Sequence, residues 1–358
     1  ALTQLPCPVI TVAGTNGKGS TVAFIEAIAS ESGYKVGAFT SPHFIRYNER
    51  IRIAGQEVTD QLLIEAFEAI EQVRVEIPLT YFEFGMLTAL WVFARAELDV
   101  AILEVGLGGR LDAVNIIDAD VSVITTVDID HQAYLGDNRE SIGLEKAGIM
   151  RSGKPCILGE KDPPSSVLKY AYEHGVYCVR GFSDYLIDTF EKHWVWREPG
   201  FELQLPYPSL SAPVQVQNAA CAIAALRASN LEINCNAWAI GVESAQIIGR
   251  MQCWQSDPEI ILDVAHNAQS VEQLANWLAL NPKPTSAVFS ALKDKDIGAM
   301  IMQMQPFIKH WYVGELAEPA DRVCSSAELQ NIFSAHLEQT DYSIFDSVAS
   351  AFMDAKQN

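Results

Sequence analysis

The seven cysteines, at positions 7, 156, 178, 221, 235, 253 and 324, are odd in number, scattered, and never form a Cys-x-x-Cys pair. That spacing excludes a disulfide framework and a structural zinc site, and it reads as the reduced thiols of a cytoplasmic protein. Basic residues are scarce. Lys and Arg total 25 against 45 Asp and Glu, a net charge of -20 over 358 residues, which argues against nucleic acid or an anionic membrane surface as a partner. Long apolar runs are missing too: the stretch from Tyr81 to Ala96 is interrupted by Glu83 and Arg95, so no segment is expected to span a bilayer, and no signal-peptide pattern is present. No internal repeat or low-complexity tract appears, and a soluble protein is expected.

The chain has a strong local signal at Gly14, Thr15, Asn16, Gly17, Lys18, Gly19 and Ser20, which follows the apolar strand Val9 to Ala13 and opens a helix near Thr21. This reads as a phosphate-binding loop. The glycines let the backbone turn tightly with its N–H groups inward, the helix N-terminus adds partial positive charge, and Lys18 supplies a full one. Its spacing departs from the common loop, because Val12 stands where the first Gly belongs and Gly19 intervenes before Ser20. A nucleoside triphosphate on so acidic a protein calls for a divalent cation, since one lysine does not neutralise it.

Strand and helix patterns alternate along the chain, the grammar of an α/β fold, and its length suits two domains. Strand Val100 to Val105 ends near Glu104, and strand Val121 to Val127 leads into Asp128, Asp130 and His131. Ligands of open parallel sheets bind at such carboxyl ends. With the hydroxyls of Ser20 and Ser41, Glu104 and His131 could hold Mg²⁺. Lys146 sits between small and apolar neighbours and is a further candidate, against the plainer reading of a surface cation. The run Gly106 to Arg110 lacks Gly-x-Gly-x-x-Gly spacing and does not support a dinucleotide site; it reads either as a turn approached by an organic substrate or as a plain tight turn. The stretch from Cys156 to Val216 is less regular, with short apolar runs and several prolines, and reads as small strands that finish the first domain, while Gln255 to Glu259 looks like a linker. Beyond it, Asp263-Val264-Ala265-His266-Asn267 ends a strand and begins a helix, where Asn267 could equally be an N-cap.

Taken together, these residues resemble the Mur ligase superfamily, and within it the folylpolyglutamate synthases, especially the bacterial form that is also a dihydrofolate synthase. The resemblance rests on the phosphate loop, on Thr40-Ser41-Pro42-His43 with Arg46-Tyr47-Asn48-Glu49-Arg50, on Glu104 through Ala113, and on Glu145-Lys146-Ala147-Gly148. Asp263 to Asn267 and Asp294-Lys295-Asp296 extend it.

The resemblance implies a P-loop-type ATPase domain over 1–256 and a C-terminal, Rossmann-like glutamate ligase domain over 257–358, with the active site in the cleft between them. It implies that the loop residues Gly14, Thr15, Asn16, Gly17, Lys18, Gly19 and Ser20 bind ATP with Asn218, Arg250 and Asp263. Ser41, Glu104, His131 and a carbamylated Lys146 hold Mg²⁺ at two sites, with a monovalent cation as a further cofactor. Thr80, Tyr81, Phe82, Glu83, Leu111, Asp112 and Ala113 match the pterin-substrate segments, and His266 lies near the incoming glutamate, making Lys18, Lys146 and His266 the catalytic set. The activity implied is ATP-dependent addition of L-glutamate to dihydropteroate and to reduced folates. A monofunctional folylpolyglutamate synthase and a peptidoglycan-precursor ligase are the alternatives. The family expectation is a cytoplasmic monomer acting on small molecules. The family's helical lead-in and its last strand and helix are expected to be absent from this sequence.

Overall fold

The computed structural model describes residues 4–317 and 322–357; Ala1 and Asn358, where the expected domains start and end, lie outside the described residues. The chain divides into two compact units, residues 1–260 and 261–358.

The first unit opens with β1 (Val9–Ala13), α1 (Lys18–Glu31) and β2 (Val36–Phe39), followed by the hairpin β3 (Ile51–Ile53) and β4 (Gln56–Glu57). Then come α2 (Asp60–Arg74), α3 (Tyr81–Phe93), β5 (Val100–Glu104), β6 (Val121–Ile124), the single turn α4 (Gln132–Leu135), α5 (Arg139–Ala147), β7 (Pro155–Leu158), α6 (Ser165–Glu173) and β8 (Tyr177–Arg180). These strands form one eight-stranded sheet in the order β4-β3-β2-β5-β1-β6-β7-β8. It is parallel except for the β3–β4 edge hairpin. The three strands that precede the phosphate loop, Glu104 and the Asp128–His131 segment, β1, β5 and β6, are adjacent at its centre.

Side-chain alternation along β1 explains the two layers. Ile10 and Val12 enter the core under α1 and the two helices α7 (Val214–Ala228) and α8 (Cys235–Ser244), whereas Val9 and Ala13 enter the opposite core under α2, α3, α5 and α6. A sheet covered on both faces has strands that read as continuous apolar runs, as β1, β5 and β6 do. The segment expected to carry small strands contains β7, α6 and β8, and then a three-stranded antiparallel meander, β9 (Leu186–Thr189), β10 (Trp194–Glu198) and β11 (Phe201–Leu205). Trp194 and Trp196 are fully buried against the α1 side.

The expected linker is a β-hairpin, β12 (Gln252–Ser256) and β13 (Glu259–Leu262). Trp254 is 56% exposed on it; a two-stranded ribbon has little core to face, so the period-2 apolar pattern that announces a strand is weak there.

The second unit places β14 (Thr285–Phe289), β15 (Ile308–Gly314) and β16 (Tyr342–Phe345) in a parallel sheet. Helices α9 (Ala268–Leu280), α10 (Ile297–Met304) and α11 (Ser326–His336) share a core with it around Ile301, Val313 and Phe333. β16 and the last helix, α12 (Val348–Gln357), were not expected from sequence.

Candidate active site

The phosphate loop joins β1 to α1, and α1 begins at Lys18 rather than at Thr21. Gly17 is its N-cap at φ 84, a left-handed conformation that glycine adopts without steric cost. No side chain caps this helix and no acidic residue stands in its first turn, so its leading N–H groups and positive dipole end are left for an anion. Lys18 Nζ folds back to donate to the Gly14 and Thr15 carbonyls at 2.9 and 3.1 Å. Burial pushes its ammonium below the ordinary lysine range, and Glu104 acts in the opposite sense.

The loop is held from the end of β6. Thr15 N–H donates to the Thr126 carbonyl at 2.8 Å, Asn16 N–H to Thr126 Oγ1 at 3.1 Å, and Thr125 Oγ1 donates to the Asn16 carbonyl at 2.6 Å. Neither threonine was singled out in the sequence. Asn218, on α7 and 5% exposed, packs its amide under Gly17, so that a Cβ there would stand 2.5 Å from Asn218 Oδ1.

Glu104, the last residue of β5, is buried and accepts the Ser41 N–H at 3.1 Å through Oε2. Burial raises its carboxyl above the ordinary 4.5, while Lys18, the Ser41 hydrogen bond and Arg250 pull it down. Ser20 Oγ and Thr21 Oγ1 are buried without a hydrogen-bond partner, in a fold where buried hydroxyls are ordinarily satisfied. An unpaired hydroxyl beside a phosphate loop and a buried carboxylate at the neighbouring strand end fit a hard divalent cation with oxygen ligands. Among the described residues no three His, Cys, Asp or Glu side chains gather into a metal cluster, so such a cation would depend on hydroxyl, phosphate and water oxygens as well.

His131 is exposed at φ 51, just before α4. Lys146 lies at the end of α5 and is only 3% exposed, which removes the surface-cation reading. Its amine is pulled down to about 7 by burial and then by Lys18, with Asp130, Asp112 and Glu160 opposing. Loop, Glu104, Ser41, Asn218, Asp112 and Lys146 therefore belong to one neighbourhood of the first unit.

The four residues of the Thr80–Glu83 segment divide. Thr80 and Glu83 form the capping box of α3, with Thr80 N–H donating to Glu83 at 2.7 Å and Glu83 N–H to Thr80 Oγ1 at 3.2 Å. Thr80 and Tyr81 line a groove of about 770 Å³ between α2 and α3, with Tyr47, Phe67 and Phe84. Phe82 turns the other way, onto Phe39 with ring centroids 5.7 Å apart and against Gly106. A Cβ at Gly106 would meet Phe82 at 2.8 Å, and one at Gly109 would stand 3.0 Å from Lys146 Cα. The glycines of this turn thus serve close approach of α3 and α5, which answers why they are there without a ligand. Asp112 braces the same turn, accepting from Leu107 N–H at 3.1 Å and Val114 N–H at 2.9 Å, while Leu111 is 79% exposed and Ala113 opens a short 3₁₀ turn.

In the second unit, Asp263 Oδ1 accepts the Ala265 N–H at 2.7 Å. His266 is exposed, with Nδ1 at 2.9 Å from the Val264 carbonyl, and Asn267 is the N-cap of α9, accepting Ser270 N–H at 3.0 Å. No helix among the described residues is long and apolar enough to cross a membrane.

Two family models match the chain: the Mur ligase middle domain over residues 12–226 and the Mur ligase glutamate ligase domain over residues 249–358. The dihydrofolate synthase/folylpolyglutamate synthase of Escherichia coli strain K12 is 46% identical over 318 residues, 88% of this chain and 74% of that protein. Among solved structures, E. coli FolC in complex with DHPP and ADP matches with a TM-score of 0.93 at 43% identity, over 99% of this chain and 84% of that one. A bifunctional folylpolyglutamate synthase/dihydrofolate synthase with Mn, AMPPNP and L-glutamate bound matches with a TM-score of 0.90 at 42% identity, covering 99% and 84%.

Proposed function

Because the chain belongs to the Mur ligase family, in its dihydrofolate synthase/folylpolyglutamate synthase branch, we propose that it joins L-glutamate to dihydropteroate and to the glutamyl tail of reduced folates at the expense of ATP. The observation that carries this is the uncapped N-terminus of α1 beside the buried Glu104: an anion site and a cation site built next to each other.

A carboxylate is a poor electrophile, so the acid substrate is activated first. Its oxygen attacks the γ-phosphorus of ATP, ADP leaves, and the resulting acyl phosphate is attacked by the glutamate amine with release of inorganic phosphate. The N–H groups of the loop and of the first turn of α1 bind and orient the phosphates, and Lys18 holds positive charge against the transferring group. Asn218 supports the loop under Gly17, and Arg250 and Asp263 complete the nucleotide contacts.

Ser41, Glu104, His131 and Lys146 would hold Mg²⁺, which when bound neutralises phosphate charge and polarises the phosphoryl oxygens. Lys146 would serve there as a carbamate: its depressed basicity leaves a fraction of neutral amine whose nitrogen adds to the carbon of carbon dioxide and gives up one N–H proton to solvent, leaving an anionic oxygen ligand in place of a buried cation. Two Mg²⁺ sites and a monovalent cation belong to this reading. Thr80, Tyr81, Phe82, Glu83, Leu111, Asp112 and Ala113 belong to the pterin side, and His266 receives the glutamate. The protein acts as a cytoplasmic monomer on small molecules.

Phosphate release with MgATP and L-glutamate, comparing 7,8-dihydropteroate with tetrahydrofolate and identifying products by mass, tests the proposal. Turnover with both acids is expected. Turnover with tetrahydrofolate alone would leave a polyglutamylating enzyme, and silence with both would overturn the reading.

A further inference from the structure

Arg139 is the first residue of α5, and Lys146 follows seven residues later in the last turn of the same helix. The Arg139 guanidinium reaches two segments at once, the one after β6 and the loop between β7 and α6. Nε donates to the Val127 carbonyl at 2.8 Å, and one terminal nitrogen donates to Glu160 Oε2 at 2.8 Å and to the Asp162 carbonyl at 2.9 Å. The other carboxylate oxygen of Glu160, Oε1, accepts the Val127 N–H at 3.1 Å. Both polar groups of the Val127 backbone therefore end on a single ion pair.

Val127 is 1% exposed and stands three residues beyond the end of β6, immediately before the segment that carries Asp128, Asp130 and His131. Its register decides where His131 stands, and the first turn of α5 decides where Lys146 stands. The same guanidinium holds both. A partly exposed ion pair adds little to global stability, yet the planar fork of arginine, spent on three acceptors from two segments, fixes geometry in a way a lysine ammonium does not.

We propose that the Arg139–Glu160 pair is a positioning clamp that sets His131 and Lys146 in register with one another, so that both present their donor atoms to the same divalent cation. The inference rests on the reading of those two residues as metal ligands. The groups that orient metal ligands typically matter by about 10- to 100-fold in metal affinity.

The test is Mn²⁺ binding to the full chain in the presence of a non-hydrolysable ATP analogue, followed by electron paramagnetic resonance, with thermal melts in parallel. The chains compared are wild type, His131→Ala, Arg139→Met, Arg139→Lys, Glu160→Ala and Arg227→Met. Arg227 pairs with Glu198 at 2.6 Å in the meander and serves as an ion pair remote from the clamp. Arg139→Met and Glu160→Ala are expected to weaken Mn²⁺ binding about 10-fold or more. Arg139→Lys keeps the charge and the fold and should weaken binding several-fold, while Arg227→Met should bind as wild type. If Arg139→Met and Glu160→Ala do not fold, Arg139→Lys decides. Wild-type Mn²⁺ affinity in folded Arg139 variants, with His131→Ala impaired, overturns the clamp. Wild-type affinity in His131→Ala overturns the ligand assignment beneath it.

Discussion

Ser41 donates its backbone N–H to Glu104 Oε2 across 3.1 Å, joining the loop after β2 to the carboxyl end of β5, the strand beside it in the sheet. The bond leaves Glu104 one oxygen to offer and holds the Ser41 segment beside it, so that a strand-end carboxylate and a hydroxyl come from different segments to one place.

Glu104→Gln keeps the size of the side chain and an oxygen that accepts the Ser41 N–H, but removes the charge. The fold should survive and Mg²⁺-dependent ADP formation should fall by roughly 100-fold or more, the scale on which preorganised charge at a reacting phosphoryl group counts. An Mg²⁺ titration of turnover beside a circular dichroism melt checks this, and an unchanged Mg²⁺ dependence would remove Glu104 from the site.

Lys146→Ala should abolish turnover, and short carboxylates such as acetate should restore part of it by supplying the oxygen ligand the carbamate provides. Rates measured against acetate concentration decide the matter. Full activity without any additive would sink the carbamate role.

Thr125→Val preserves shape and deletes the hydroxyl that donates to the Asn16 carbonyl at 2.6 Å. Thr126 Oγ1 still donates to that carbonyl at 3.2 Å, so losing one of its two donors should cost about 0.5–1.5 kcal/mol, and the loosened loop should raise the KM for ATP more than it lowers kcat. Steady-state kinetics with a thermal melt would expose the error if only stability moved.

Glu49 accepts the N–H groups of Phe44, Ile45 and Arg46 at 2.7, 2.8 and 2.6 Å. Partial burial works against ionisation there, but the three hydrogen bonds prevail and hold the carboxyl below its ordinary 4.5. The ionised form is favoured in the folded chain, so its stabilising effect is present above pH 4.5 and is lost as pH falls through the depressed value. Glu49→Ala should be destabilised by about 1–2 kcal/mol at pH 7, and the gap to wild type should close below pH 4.5. A gap independent of pH in urea titrations would show that the charge is not the cause.

What the sequence by itself determined is what lies close along the chain. Seven consecutive residues from Gly14 to Ser20, between an apolar strand and a helix, announce an anion site because turn glycines, lysine and helix start must be contiguous to act together. Strands β1, β5 and β6 were legible as apolar runs, and Asn267 as a helix cap, because a capping hydrogen bond spans three residues. The tertiary structure decided everything whose cause is distant. Thr125 and Thr126 brace the phosphate loop from more than a hundred residues away, as no local pattern could reveal. Lys146 stood in sequence as a candidate site residue beside the plainer reading of a surface cation, and the packing of α5 against the Gly106–Gly109 turn is what buries it and depresses its basicity. Glu104 in sequence is merely a carboxylate at a strand end. Parallel pairing with crossovers brings β1, β5 and β6 side by side, and desolvation, which depends on what surrounds a charge in space rather than along the chain, then sets its chemistry.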